Sequence, residues 1–154
     1  MKRMARVEAI SGWTKNYLTY VTGASHSRWT ALDSFTSGIG VCRDFAHVGI
    51  AFCRALNIPA RLVVGYVWFD EPPQDFHAVF EVWLDNGWWL VDPTRLAPVE
   101  GLVRIACGRD AADIAFLTTQ GRCELVRQTV TVALLFGAVL PTRRGRSDDL
   151  LISV

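Results

Sequence analysis

The sequence predicts an α+β fold, helices first and an antiparallel sheet after them, on three observations. Apolar residues recur at helical spacing through the first third of the chain, and β-type runs dominate from Arg61 onward. Asn86-Gly87 stands between two such runs, a hairpin signal of the kind that joins antiparallel strands. Helical and strand patterns are grouped rather than alternating, which points away from a parallel βαβ sheet.

Ala5 to Val21 reads as an amphipathic helix, with Val7, Ile10, Trp13, Tyr17 and Val21 on one face. Gly23 and Ser25 break that pattern, and Thr30 to Phe35 reads as a short helix with Asp33 and Ser34 near its end. Ser37-Gly38-Ile39-Gly40 is a loop whose glycines suit close backbone approach or unusual dihedrals. Cys42 to Leu56 is helical again, with Phe45, Ala46, Gly49, Phe52 and Cys53 on its apolar face. Asn57 suits a left-handed cap, and Pro59 follows where the helix cannot continue. Arg61 to Trp68 is a strand by its β-branched and aromatic content, and Asp70 to Asp75 is a loop. His77 to Leu84 and Trp88 to Val91 are the hairpin arms, and Pro93 ends the second. Leu102 to Cys107 reads as a further strand, Asp110 to Phe116 as a short helix or turn, and Leu125 to Phe136 as a long β-type run.

The 154 residues fit a single domain, taken as 1–140, with a frayed arginine-bearing tail at 141–154. Half the residues are hydrophobic, enough for a sizeable core, and the Trp and Phe content can also line a groove. A formal net charge of +1 gives no electrostatic case for nucleic acid or an anionic membrane. No apolar run approaches the roughly 18 residues that span a bilayer. The basic start has no apolar stretch behind it, so no signal peptide is expected and the cytoplasm is the default location. Cys42, Cys53, Cys107 and Cys123 form no Cys-x-x-Cys pair, so no metal site is expected. Cys42 and Cys53 stand about 16 Å apart on one helix, too far for a disulfide, and free thiols in a reducing compartment follow. The sequence does not set the oligomeric state.

Cys42 opens its helix after a glycine-containing loop. The free N–H groups and dipole of a helix N-terminus favour a thiolate, and the Cys42 backbone N–H can hold an oxyanion. An imidazole beside the thiolate can protonate a leaving amine, and a carboxylate beyond it fixes the imidazole tautomer. His77 and Asp92 are the candidates for those two roles. Each also has a plainer reading: a buried small hydrophobe, a structural histidine and a turn-starting aspartate. An Asn86-Gly87 turn would pair Asp85 with Trp88 and Glu81 with Asp92. His77 and Asp92 would then share a face but lie on the order of 13 Å apart. A different register, bulges or strong coiling is needed to join them.

Three blocks carry a resemblance. They are Gly40-Val41-Cys42-Arg43-Asp44-Phe45-Ala46-His47 with Cys53 to Arg61 and Val64-Gly65-Tyr66, then Phe76-His77-Ala78-Val79-Phe80-Glu81-Val82-Trp83, then Trp88-Trp89-Leu90-Val91-Asp92-Pro93-Thr94. In this order they resemble the core of the transglutaminase-like superfamily, over roughly Ala31 to Thr94. Gly108-Arg109-Asp110-Ala111-Ala112-Asp113 is similar to a stretch of bacterial members, with no role assigned. The resemblance implies a papain-like fold, with a central cysteine helix on an antiparallel sheet and a Cys42, His77, Asp92 triad. It implies no cofactor. Trp29 is the candidate for a second oxyanion donor through its indole N–H, against a plain core role. His47 points about 140° away from Cys42 on the same helix and reads as structural. Asp44 reads as a partner of backbone N–H groups in the first turn. Bacterial relatives often carry a β-rich region before this core, so a fragment of a longer parent and a minimal member both stay open.

The activity implied is acyl transfer from a peptide or protein amide through a Cys42 thioester. Hydrolysis, as in a cysteine peptidase or glutamine deamidase, is favoured over amine transfer, which needs a closed tunnel to exclude water. A transamidase and a non-catalytic protein-binding module are the alternatives. No EF-hand loop suggests calcium activation.

Overall fold

The computed structural model describes residues 3–70, 73–115 and 117–133. The expected tail at 141–154 lies outside them.

Helix α1 runs Arg3–Tyr17, ending earlier than the predicted Val21. The predicted stripe divides. Val7, Ile10, Ser11, Thr14 and Leu18 are buried, while Trp13 stacks on Tyr17 at 4.5 Å and both rings stay about 40% exposed. Past Leu18 the backbone leaves the helix because another segment takes its N–H groups. Thr19 donates to the Gly38 carbonyl and Val21 to that of Gly40. Strand β1 (Thr19–Tyr20) thereby pairs in parallel with β2 (Ile39–Gly40).

Between them lies α2, Ala31–Ser37. Asp33, expected near the end of this helix, stands at its start. The Thr30 N–H donates to the Asp33 carboxylate at 2.8 Å, and the Asp33 N–H donates back to the Thr30 hydroxyl, a capping box. Gly38 closes α2 with φ 72°, a conformation open to glycine at little cost.

Helix α3, Cys42–Ala55, follows the prediction closely, and Asn57 adopts the expected positive φ of 55°. The sheet then runs β3 (Ala60–Tyr66), β4 (Phe76–Leu84), β5 (Gly87–Val91) and β6 (Val103–Gly108), in the spatial order β5-β4-β3-β6 with every pair antiparallel. One face packs on α3 and α1. Ala46, Ile50, Cys53, Val7 and Ile10 meet Leu62, Phe80, Val82 and Leu84 there. Gly49 lets α3 settle on the sheet, since a methyl group there would fall 2.6 Å from the Phe80 ring. The other face carries Val63, Val67, Val79 and Leu102. Glu81, fully buried, is held by Arg61 and Arg104.

The hairpin turn differs from the prediction by one residue. Asp85 and Asn86 are its central pair, with φ of 50° and 63°, and Gly87 belongs to β5 opposite Leu84. Two successive positive φ values make the type I′ geometry that matches strand twist, and Asp and Asn tolerate it. The ladder shifts by two residues as a result.

Residues 109–114 form turns rather than a helix, and Phe116 lies outside the described residues. The Gly108 to Asp113 stretch closes on itself. The Arg109 guanidinium and N–H both reach the Asp113 carboxylate. It also clamps on α3: the Ala111 N–H donates to His47 Nε2 at 3.2 Å, and Arg54 donates to the Arg109 carbonyl at 2.7 Å. The β-type run expected from Leu125 to Phe136 is not a strand over 125–133, which are mostly exposed and irregular. Residues 125–133 join no ladder among the described residues, and 134–136 lie outside them.

Candidate active site

Cys42 is the first residue of α3 and is partly exposed. Its helix start is braced from beneath. The buried Asp44 carboxylate accepts the Val41 N–H at 2.9 Å and pairs with the Arg43 guanidinium, the role expected of it. Val41 offers no side-chain acceptor in return, so this is half a capping box. Arg43 also donates to Ser25 Oγ and to the His26 carbonyl, which ties the loop after β1 to the helix start. Gly40 lies against Asp44 with no room for a methyl group.

His77 is 2% exposed on β4, opposite Gly65. Its Nε2 lies 2.9 Å from Asp92 Oδ2. The imidazole also interacts with the Cys42 thiol, which lines the same groove. Phe69 packs edge-on against the ring at 5.3 Å. Burial pushes the His77 pKa down, but the hydrogen bonds and charges of Asp92 and Cys42 outweigh it and raise the pKa to about 9. Asp92 is buried just past β5. Its Oδ1 accepts from Thr94 N–H at 2.8 Å and Thr94 Oγ1 at 2.6 Å. Burial favours its neutral form, yet the hydrogen bonds from His77 and Thr94 hold its pKa below the usual value. The observed register is what joins the pair. One step past the Phe80–Val91 pairing, Asp92 falls opposite Val79, two residues along β4 from His77 and on the same face.

Trp29, the expected second donor, is engaged elsewhere. Its indole N–H already donates to Ser34 Oγ at 2.8 Å. Tyr20, which the sequence does not single out, lies beside Cys42. Tyr20 pairs with Gly40, its ring packs 5.9 Å from Phe45, and its hydroxyl interacts with Cys42. Burial first, then the negative charge on Cys42, push the Tyr20 pKa up to about 12, so the phenol keeps its proton. Tyr20 is hidden in the sequence because it falls inside a stretch with helical spacing. Only the two-residue ladder with β2 brings it to Cys42.

His47 accepts the Ala111 N–H and is held neutral, chiefly by burial and then by the Arg43 charge. It anchors the turn after β6, as its angle from Cys42 predicts. Among the described residues, no group of three or more His, Cys, Asp or Glu is gathered as a metal would require.

The core model of the transglutaminase-like superfamily matches residues 1–93. An uncharacterized protein of Mycobacterium leprae is 32% identical over 120 residues, covering 71% of this chain and 42% of that protein. A solved candidate cysteine protease from Cytophaga hutchinsonii has a TM-score of 0.70 at 52% identity, over 73% of this chain and 38% of the other. LapG of Legionella pneumophila shares the fold at TM-score 0.56 and 15% identity, over 73% of this chain and 74% of LapG. The chain therefore spans less than half the length of the first two.

Proposed function

Because the chain belongs to the transglutaminase-like superfamily, we propose that it performs thiol-dependent acyl transfer from amides, completed by water as a hydrolase. The observation that carries this reading is the line from Cys42 through His77 to Asp92, with the last step at 2.9 Å. The similarity to the Cytophaga candidate cysteine protease supports the hydrolytic ending.

Cys42 Sγ attacks the amide carbonyl as a thiolate. Negative charge passes to the carbonyl oxygen, where the Cys42 backbone N–H and the Tyr20 hydroxyl donate to it. His77, held as imidazolium by the Asp92 carboxylate, gives its proton to the departing amine nitrogen. The C–N bond breaks and a thioester to Cys42 remains. Water then enters, neutral His77 takes its proton, the C–S bond breaks, and the acid leaves. Asp92 orients the ring and offsets its charge without accepting the proton. A reducing compartment such as the cytoplasm suits this chemistry, which needs a free thiol.

Peptide and glutamine-containing substrates should leave a transient acyl adduct on the Cys42 peptide, detectable by mass spectrometry after acid quench. Hydroxylamine should convert it to the hydroxamate, and Cys42→Ala should abolish both adduct and turnover. Full turnover by Cys42→Ala sinks the reading. Product carrying an added primary amine in place of water would move the assignment to the transamidase alternative.

A further inference from the structure

We infer that the groove beside Cys42 selects peptides with uncharged, apolar side chains flanking the reacting amide, an inference that rests on the acyl-transfer reading above. The groove has a volume of about 670 Å³, within the roughly 300–1,000 Å³ of sites that enclose small ligands. Its floor follows from the sheet register. Ala78, Val64 and Ala106 lie side by side across β4, β3 and β6 on the face that carries α3. An alanine on each side of one valine leaves a trough between bulkier rows. On one side of it Tyr66 stacks on Phe76 with ring centres 4.8 Å apart. Leu62 lies in the row on the other side, and Ile114 comes in from the turn after β6.

Outside the Cys42–His77 pair, charge is nearly absent from this lining. Among the described lining residues, Arg43 is the one with a permanent charge. Its Nε and Nη2 already serve Asp44, Ser25 and the His26 carbonyl. Away from the Cys42–His77 pair, a carboxylate or ammonium laid on Ala78, Val64 and Ala106 would lose water and gain no partner, whereas burying methylenes there is favourable. A glutamine side chain would place only its short, polar amide there. A main-chain amide flanked by apolar residues fills the trough, which points to peptide bonds over side-chain amides.

The test uses three N-substituted iodoacetamides of similar length: N-butyl, N-(3-carboxypropyl) and N-(4-aminobutyl). Each alkylates Cys42 when the thiolate sulfur displaces iodide. Rates on Cys42, read by peptide mass mapping, are divided by rates on free cysteine. The inference predicts that the butyl reagent leads both charged ones by about tenfold. Ala106→Phe, which fills the trough, should reduce that lead to about twofold and leave plain iodoacetamide unchanged. Leu117→Asp at the exposed rim supplies a second variant that cannot empty the core; it should narrow the lead over the amine reagent. Equal corrected rates for the three reagents, or a lead for a charged one, overturn the inference. The ratio is read whether or not His77 primes Cys42, so failure here is distinct from failure of the acyl-transfer reading.

Discussion

His77 Nε2 and Asp92 Oδ2 meet at 2.9 Å across a hairpin in which they are diagonal, not opposite, neighbours. The diagonal comes from the Asp85-Asn86 turn. Asp92→Asn keeps the side-chain shape but removes the charge that holds His77 as imidazolium. Turnover should fall by about 10²–10⁴ with KM little changed. Steady-state kinetics on any peptide cleaved by the wild type checks this, and near-wild-type turnover would remove Asp92 from the mechanism.

Thr94 fixes the carboxylate from its other oxygen, through both its N–H and its hydroxyl. Thr94→Val preserves shape and the N–H bond while deleting the hydroxyl donor. One buried, charge-assisted hydrogen bond corresponds to about 1.5–3 kcal/mol. Thermal denaturation should reveal a loss of that order, accompanied by a His77 titration moved in NMR spectra.

The raised His77 pKa sets a pH window for stability. Folded His77 binds its proton up to about pH 9, against an ordinary value of 6.5. For His77 alone the folded state holds the extra proton between those values, and that stabilisation is complete below about 6.5 and lost as pH rises through 9. A Cys42 thiolate releases a proton that offsets it, so the decline in melting temperature should be read in Cys42→Ala, where Asp92 still raises His77. His77→Gln should flatten the decline, and an unchanged slope would contradict the assignment.

On the proposed mechanism Tyr20 donates to the oxyanion, and its elevated pKa keeps that donor protonated through neutral pH. Tyr20→Phe removes the hydroxyl and keeps the ring against Phe45. Loss of one oxyanion donor costs about 10²–10³ in kcat, and KM should move far less. A rise in KM at constant kcat would make Tyr20 a binding residue instead.

The long elements were legible because their signals are local. Cys42 to Ala55 carries an apolar stripe, an Asn57 cap and a following Pro59, so it emerges nearly to the residue. The hairpin register was not, for a specific reason. A shift of two residues leaves every side chain on its original face, so the pattern of Phe80, Val82 and Leu84 is the same in both registers. Only the φ > 0 tolerance of Asp85 decides. The β1–β2 ladder is invisible for another reason: two residues carry no periodicity, and their pairing depends on α2 closing the loop between them. Tyr20 and the engaged Trp29 indole were lost with it. His47 and Asp44 could be read, because a helical angle and a first-turn carboxylate are properties of one element.

The central claim is that Cys42 and His77 form a thiolate–imidazolium pair. Its most direct test is the rate of Cys42 alkylation by iodoacetamide against pH, resolved by peptide mass mapping, in wild type and His77→Ala. The account predicts that Cys42 reacts well below pH 8, ahead of Cys53, Cys107 and Cys123, and loses that lead without His77. A Cys42 that reacts no faster than an ordinary exposed thiol, or identically in both proteins, contradicts it.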